Sequence, residues 1–358
     1  MCLNTPKTHT CPPCDERIAF NLYIKINECK QKVCFLRKKT NSRNNAASAN
    51  STKIGVGPIN TPEKNSFLWN RPNTYDFYQD WRAARIAASE SAKTAGFIQV
   101  SDLANPTESE KLAIIGRCRD ANLALYEAPA ADNLRKSLRQ FAERFDLRIA
   151  ERHRSAGEQG IVALTESNAP GQKGYIPYSK RKMNWHTDGY YNAPSDRISA
   201  MVLHCAQPAE SGGSNQFLDS TIAFIRLWDE NPDYARALMH PEAMVIPENV
   251  EADGSVRPAS VGPVFYGDPD TGRMQMRYTA RTRSIAWRDD PLTREAVAFL
   301  QSTLEGPDPL TISLKFKAGQ GVLCNNVLHD RTGFDPKSVD KSPRVMYRVR
   351  FTNRVKGT

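Results

Sequence analysis

The chain has 358 residues, 40% hydrophobic and 25% charged, enough for one large domain or two modest ones around a full core. No stretch approaches the roughly 20 apolar residues of a membrane-spanning helix, and the first residues lack a signal peptide's basic start and apolar run, so a cytoplasmic protein without a membrane partner is expected. The net charge of +10 suggests nucleic acid only until it is located: residues 1–58 hold ten basic residues against three acids, leaving +3 for the other 300.

Residues 1–65 read as a basic, Cys-containing, poorly ordered N-terminal extension and linker, and residues 66–358 as one domain. Cys2, Cys11, Cys14, Cys29 and Cys34 lie in the extension. Their spacing supplies four thiolates for zinc. The second pair is loosely spaced, however, and Pro12–Pro13 fills the first knuckle where glycine would ease the turn. Residues 40–65 are rich in Asn, Ser, Ala and Pro, the mark of a linker. No RNA- or DNA-binding signature accompanies the basic tail, so nucleic acid is not an expected partner. A homo-oligomer stays open.

Amphipathic periodicity predicts helices over Tyr75–Ser91, Glu108–Asn122 and Ala131–Phe145, with short strands at Gly96–Val100 and Leu123–Glu127. From Gly160 onward strands dominate: Arg197–Cys205, Thr311–Lys317, Gly321–Asn325 and Arg344–Asn353 are apolar, β-branched or alternating. Helical stretches at Thr221–Asp229 and Thr293–Leu304 interrupt them. Cys118, Cys205 and Cys324 sit in apolar runs as free, buried thiols. This is an α+β arrangement, a β-sandwich or barrel with helices outside. A doubly wound nucleotide fold is disfavoured, because no glycine-rich strand-to-helix turn is present.

The segment Lys182-Met-Asn-Trp-His186-Thr-Asp188-Gly-Tyr-Tyr191 carries the chemistry. On an extended strand, residues i and i+2 share a face about 6.6 Å apart, so His186 and Asp188 both reach one ion. On a helix they would diverge. A second imidazole would complete the 2-His-1-carboxylate triad of non-haem Fe(II) oxygenases. Six histidines exist. His9 lies in the tail, His153 in a charged stretch, His240 at a helix end and His204 on an alternating strand. His329, closing a strand in GVLCNNVLHDRTGF, is the best candidate. An isolated H-x-D is a weak signal, equally satisfied by a hydrogen-bonded strand end.

The order WHTDG, GGSN, NNVLHDRTGF and RVMYR resembles the TauD/TfdA-type Fe(II)/2-oxoglutarate dioxygenases and their clavaminate-synthase-like relatives, over roughly residues 75–355. The resemblance implies a double-stranded β-helix (jelly-roll) core with flanking helices. It implies His186, Asp188 and His329 as iron ligands, with 2-oxoglutarate and O₂ as cosubstrates. Arg344 would pair with the distal carboxylate of 2-oxoglutarate. Asn215 falls where many members have a threonine contacting that carboxylate. The implied reaction hydroxylates or desaturates a small molecule with release of succinate and CO₂. Because Asp188 is present, halogenation is not expected.

In RVMYRVRFT, Arg344, Met346, Arg348 and Arg350 share one strand face. An arginine row inside a core is costly unless each charge is paired. A dianionic cosubstrate removes that objection, because guanidinium binds carboxylate bidentately. The resemblance places Arg348 at the anionic end of the substrate, and an ordinary solvated arginine face is the competing reading. Tyr190, Tyr191 and Arg277 are further candidates to line the substrate cavity. Two alternatives remain: a zinc hydrolase on the same ligands, and a nucleic-acid-directed oxygenase using the basic tail.

Overall fold

The computed structural model describes residues 75–150, 160–169, 172–250, 254–335 and 343–358. The expectations for residues 1–65 and for His153 lie outside the described residues.

α1 (Tyr75–Thr94) leads to α2 (Glu108–Ala121), which starts at a reciprocal capping box between Thr107 and Glu110 and stops where Asn122 turns left-handed at φ 60°. α3 (Leu134–Arg144) has Asn133 as its cap. Two further helices, α4 (Ser220–Glu230) and α5 (Pro232–Leu238), follow strands and carry Asp219 and Asn231 as caps. α6 (Pro291–Glu305) pairs an Asp290 cap with proline in its first turn. No helix among the described residues is long and apolar enough to cross a membrane.

Ten strands form the two main sheets: β1 (Ile98–Gln99), β2 (Leu123–Glu127), β3 (Ile161–Leu164), β4 (Met183–His186), β5 (Ala200–Gln207), β6 (Asn215–Leu218), β7 (Ile312–Leu314), β8 (Gln320–Cys324), β9 (Leu328–Arg331) and β10 (Val345–Phe351). The larger runs β1-β2-β8-β5-β10-β3, antiparallel except for the parallel β1–β2 pair. The smaller runs β7-β6-β9-β4, antiparallel throughout.

Alternation along β5 shows how the layers are held. Ala200 and Val202 face α2 and α3 with Phe141, Phe145 and Leu138. Met201, Leu203 and Cys205 face the other way, toward Phe217, Ile312 and Phe316 of the smaller-sheet side. A strand buried on both faces reads as a continuous apolar run, as AMVLHCA does. Cys118, Cys205 and Cys324 are free and buried.

The strands expected at Thr311–Lys317 and Gly96–Val100 shrink to three and two residues. The pattern did not reveal β6, α5 or the two- and three-residue strands between residues 244 and 287. The two- and three-residue strands hold less than two full alternations, so their periodicity is unreadable.

Candidate metal centre

β4 and β9 are neighbours, and His186 lies directly opposite His329 in their register. The imidazole centroids are 4.2 Å apart. Both rings are pinned by their own strand: His186 Nδ1 lies 2.9 Å from the Asn184 carbonyl and His329 Nδ1 3.0 Å from that of Val327. A carbonyl can only accept, so Nδ1 carries the proton and Nε2 keeps its lone pair for the centre. Burial, then the neighbouring His329, pushes the pKa of His186 down to about 3. Burial likewise lowers that of His329. Two neutral imidazoles result.

Asp188 corrects the geometry expected of it. β4 ends at His186, and Asp188 stands in the turn that follows, not on the extended strand. Gly189 makes this turn possible. Its φ is 70°, and a Cβ there would come within 2.5 Å of Ile198 Cγ1. The carboxylate still converges. One donor atom from each of His186, Asp188 and His329 lies within 4.8 Å of the other two, and all three residues are buried.

Burial alone would raise the Asp188 pKa, but Arg348 and Arg350 overrule it and hold the carboxyl well below the usual range. Arg348 donates to Oδ1 at 3.2 Å, while Arg350 donates to Oδ2 from Nε and to Oδ1 from Nη2, each at 3.0 Å. The arginine row is therefore buried, not solvated: Arg344, Arg348 and Arg350 are 7%, 5% and 8% exposed.

Arg344 differs from its neighbours. It stacks over Phe334 at 5.2 Å, and burial pushes its pKa down to about 10. No hydrogen bond or ion pair to its guanidinium exists among the described residues. Its Nε would lie 3.5 Å from a Cβ on Gly213. Gly212 has no room for one at all, since the Gly333 carbonyl would be 2.3 Å away. The paired glycines of GGSN thus let the loop pass against residues 333–334. Asn215 pairs with Arg331 across β6–β9, one strand repeat from the Phe217–His329 pair. Its Nδ2 donates to the Asp330 carbonyl at 2.9 Å, while Oδ1 is buried without a partner.

The Tyr190 ring meets His186 edge-on at 6.4 Å and packs against Tyr191 at 5.1 Å. The Tyr191 hydroxyl accepts from Arg350 at 3.2 Å. Both tyrosines thus stand beside the triad. The donors of Arg277 are engaged by the carbonyls of Tyr190, Met244, Gly262 and Ser260 and by Ser260 Oγ, so it braces this wall. A cavity of about 460 Å³, its open mouth included, is lined by the 187–189 turn together with Tyr190 and Arg277. Asp188 and Tyr190 border it, but neither imidazole does.

Two positioning residues escaped sequence reasoning. Arg350 was visible in the row without a partner to assign to it. Asn326, in NNVLHD, sits at φ 51° and grips the backbone of Asp188; only its left-handed preference hinted at a special turn.

The model of the Taurine catabolism dioxygenase TauD, TfdA family matches residues 134–350, which include every residue of this centre described above. The chain belongs to the TauD/TfdA family. This TauD/TfdA chain is 27% identical over 158 residues to a uridine-5'-phosphate dioxygenase of Amycolatopsis sp. That match covers 43% of the chain and 55% of the relative, so it spans little more than half of the relative's length. Among solved structures, an asparagine oxygenase in complex with Fe(II), 2S,3S-3-hydroxyasparagine and succinate aligns at a TM-score of 0.51 and 12% identity, over 75% of this chain and 90% of that one. AAD-2 in complex with Mn(II) and N-oxalylglycine aligns at 0.50 and 17%, over 74% and 97%. At these identities the likeness is one of fold.

Proposed function

We propose that the chain is an Fe(II)- and 2-oxoglutarate-dependent dioxygenase that hydroxylates or desaturates a small anionic metabolite. The observation that carries this reading is Arg344, a buried guanidinium that no described acid neutralises, immediately before the strand whose Arg348 reaches Asp188. A zinc hydrolase on the same three ligands has no use for such a charge. A dicarboxylate does.

The donor set fits the metal: two neutral imidazoles and one carboxylate held ionised make a 2-His-1-carboxylate site, leaving positions for other ligands. His186, Asp188 and His329 would hold Fe(II). Arg344 would take the distal carboxylate of 2-oxoglutarate, with the second N–H of Asn215 Nδ2 as a further donor. Fe(II) with 2-oxoglutarate and O₂ supplies an oxidant strong enough for an unactivated C–H bond, and 2-oxoglutarate leaves as succinate and CO₂. The rest falls to the chain: backbone carbonyls fix the imidazole tautomers, Arg348 and Arg350 keep Asp188 ionised, and Tyr190 and Tyr191 wall the centre from water. The two sheets sharing one core support a double-stranded β-helix, residues 66–358 forming the catalytic domain and 1–65 an appended extension.

Arg348, Tyr190 and Tyr191 would face the substrate. The named substrate of the Amycolatopsis relative makes uridine 5′-phosphate the first compound to try. The test is succinate release by the full chain with Fe(II), 2-oxoglutarate and O₂. Succinate should form, and a true substrate should stimulate it. No succinate, together with tight zinc binding, would overturn the reading in favour of a hydrolase.

A further inference from the structure

The layer between the two sheets holds polar atoms that the chain leaves unpaired. Asn215 and Phe217 share one face of β6, while Arg344, Met346 and Arg348 share one face of residues 344–348. Phe217 and Met346 meet in one buried cluster with Leu203, Cys205 and Tyr178. The polar neighbours of these two core residues therefore point into the same layer as Tyr178.

No sequence motif marks Tyr178. It closes a short helical turn, Ile176–Tyr178, in which Pro177 presets the backbone. Tyr178 is 5% exposed, and its hydroxyl is buried without a hydrogen-bond partner. The residue lies within electrostatic reach of Arg348, whose Nε is also buried and unpartnered. Asn215 Oδ1 is a third such atom. Burying a hydroxyl without a partner is unfavourable, so a phenol kept there suits a bond that forms with a bound ligand.

The turn is held in place against the metal centre. Arg331, two residues after His329 on β9, donates to the carbonyls of Ser179 and Arg181 at 2.8 and 2.6 Å. From the other side, Ser167 N donates to the Tyr178 carbonyl at 3.1 Å. The segment carrying the phenol is thus tied to the strand carrying the second imidazole.

Arg348 reaches Asp188 and so marks the metal end of the layer, while Arg344 stands four residues back on the same face. A molecule spanning from Arg344 to the triad passes Met346, whose cluster includes Tyr178.

We propose that Tyr178 is a further 2-oxoglutarate-binding residue, its hydroxyl donating to the carboxylate next to the keto group. The assignment rests on the Fe(II)/2-oxoglutarate reading above. That carboxylate gives one oxygen to the metal and keeps lone pairs on the other, which a phenol meets with a charge-assisted bond.

The test is Tyr178→Phe in the full chain, which removes the hydroxyl and keeps the ring. Without ligands, its urea midpoint should be unchanged or raised, because no internal bond is lost. With Fe(II) and no oxygen, 2-oxoglutarate is titrated by calorimetry and by the visible band. Its Kd should be about tenfold above wild type. Affinity for Fe(II) alone should stay within about twofold. The same factor should appear in an Arg344→Gln background, since the two residues meet opposite carboxylates. A wild-type 2-oxoglutarate affinity, a lowered urea midpoint, a matching loss of Fe(II) affinity, or a factor that vanishes in the Arg344→Gln background would each overturn the assignment. A wild-type chain that shows no band would instead strike the Fe(II)/2-oxoglutarate reading itself.

Discussion

Asn326 holds Asp188 by its main chain: Oδ1 accepts from the Asp188 N–H at 2.8 Å and Nδ2 donates to the Asp188 carbonyl at 3.0 Å. The same Nδ2 reaches the Ile198 carbonyl at 2.7 Å. Asn326 lies three residues before His329, so one amide ties the turn carrying the carboxylate to the strand carrying the second imidazole. Asn326→Ala removes all three bonds and places alanine at φ 51°. We expect a loss of about 2–4 kcal/mol in stability and a roughly 10–100-fold weaker metal affinity. Thermal unfolding and anaerobic Fe(II) titration measure the two effects. Unchanged metal affinity would show that Asp188 needs no such clamp.

Arg344→Gln keeps some hydrogen-bonding capacity and removes the charge. Charge-assisted bonds to a carboxylate contribute about 1.5–3 kcal/mol, so the KM for 2-oxoglutarate should rise roughly 10–100-fold. The effect on kcat should be smaller, because the variant leaves the metal ligands alone. Steady-state kinetics with varied 2-oxoglutarate separates the two. An unchanged KM would mean that the dicarboxylate binds elsewhere.

Away from the metal, His204 shares a buried hydrogen bond of 3.1 Å with the Tyr126 hydroxyl. Gly321 makes room for this pair, since a Cβ there would be 2.5 Å from the Tyr126 ring. Burial lowers the His204 pKa to about 4. A histidine with a depressed folded pKa binds its proton more readily when unfolded, so its contribution is complete above pH 6.5 and is lost progressively toward pH 4. That loss is on the order of 3 kcal/mol. Urea unfolding across this window should show wild type losing stability faster than His204→Gln as pH falls. Parallel curves would contradict the assignment.

Much of the site was legible because metal chemistry demands few residue types at fixed spacing. With six histidines in 358 residues, elimination left His329, and the structure sets it opposite His186. Alternation along β10 placed Arg348 and Arg350 on one face, and both reach Asp188. Other features depended on tertiary contact. Nothing local shows that β4 stops at His186 and that Asp188 reaches the centre from a turn; that depends on the close approach of Gly189 to Ile198. The Asn326 clamp spans 138 positions and carries no periodic signal. Arg277 reads from the sequence as a candidate to line the substrate cavity, and its bracing role shows only once its carbonyl partners are known.

The most direct measurement is an anaerobic optical titration of Fe(II) and 2-oxoglutarate into the purified full chain. Wild type should develop a weak visible charge-transfer band that saturates at one iron per chain. His329→Ala should remain folded and show no band. Arg344→Gln should reach the same band only at higher 2-oxoglutarate. A wild-type chain that stays colourless with both ligands in excess, or a His329→Ala variant that gives the full band, would contradict a ferrous centre at positions 186, 188 and 329.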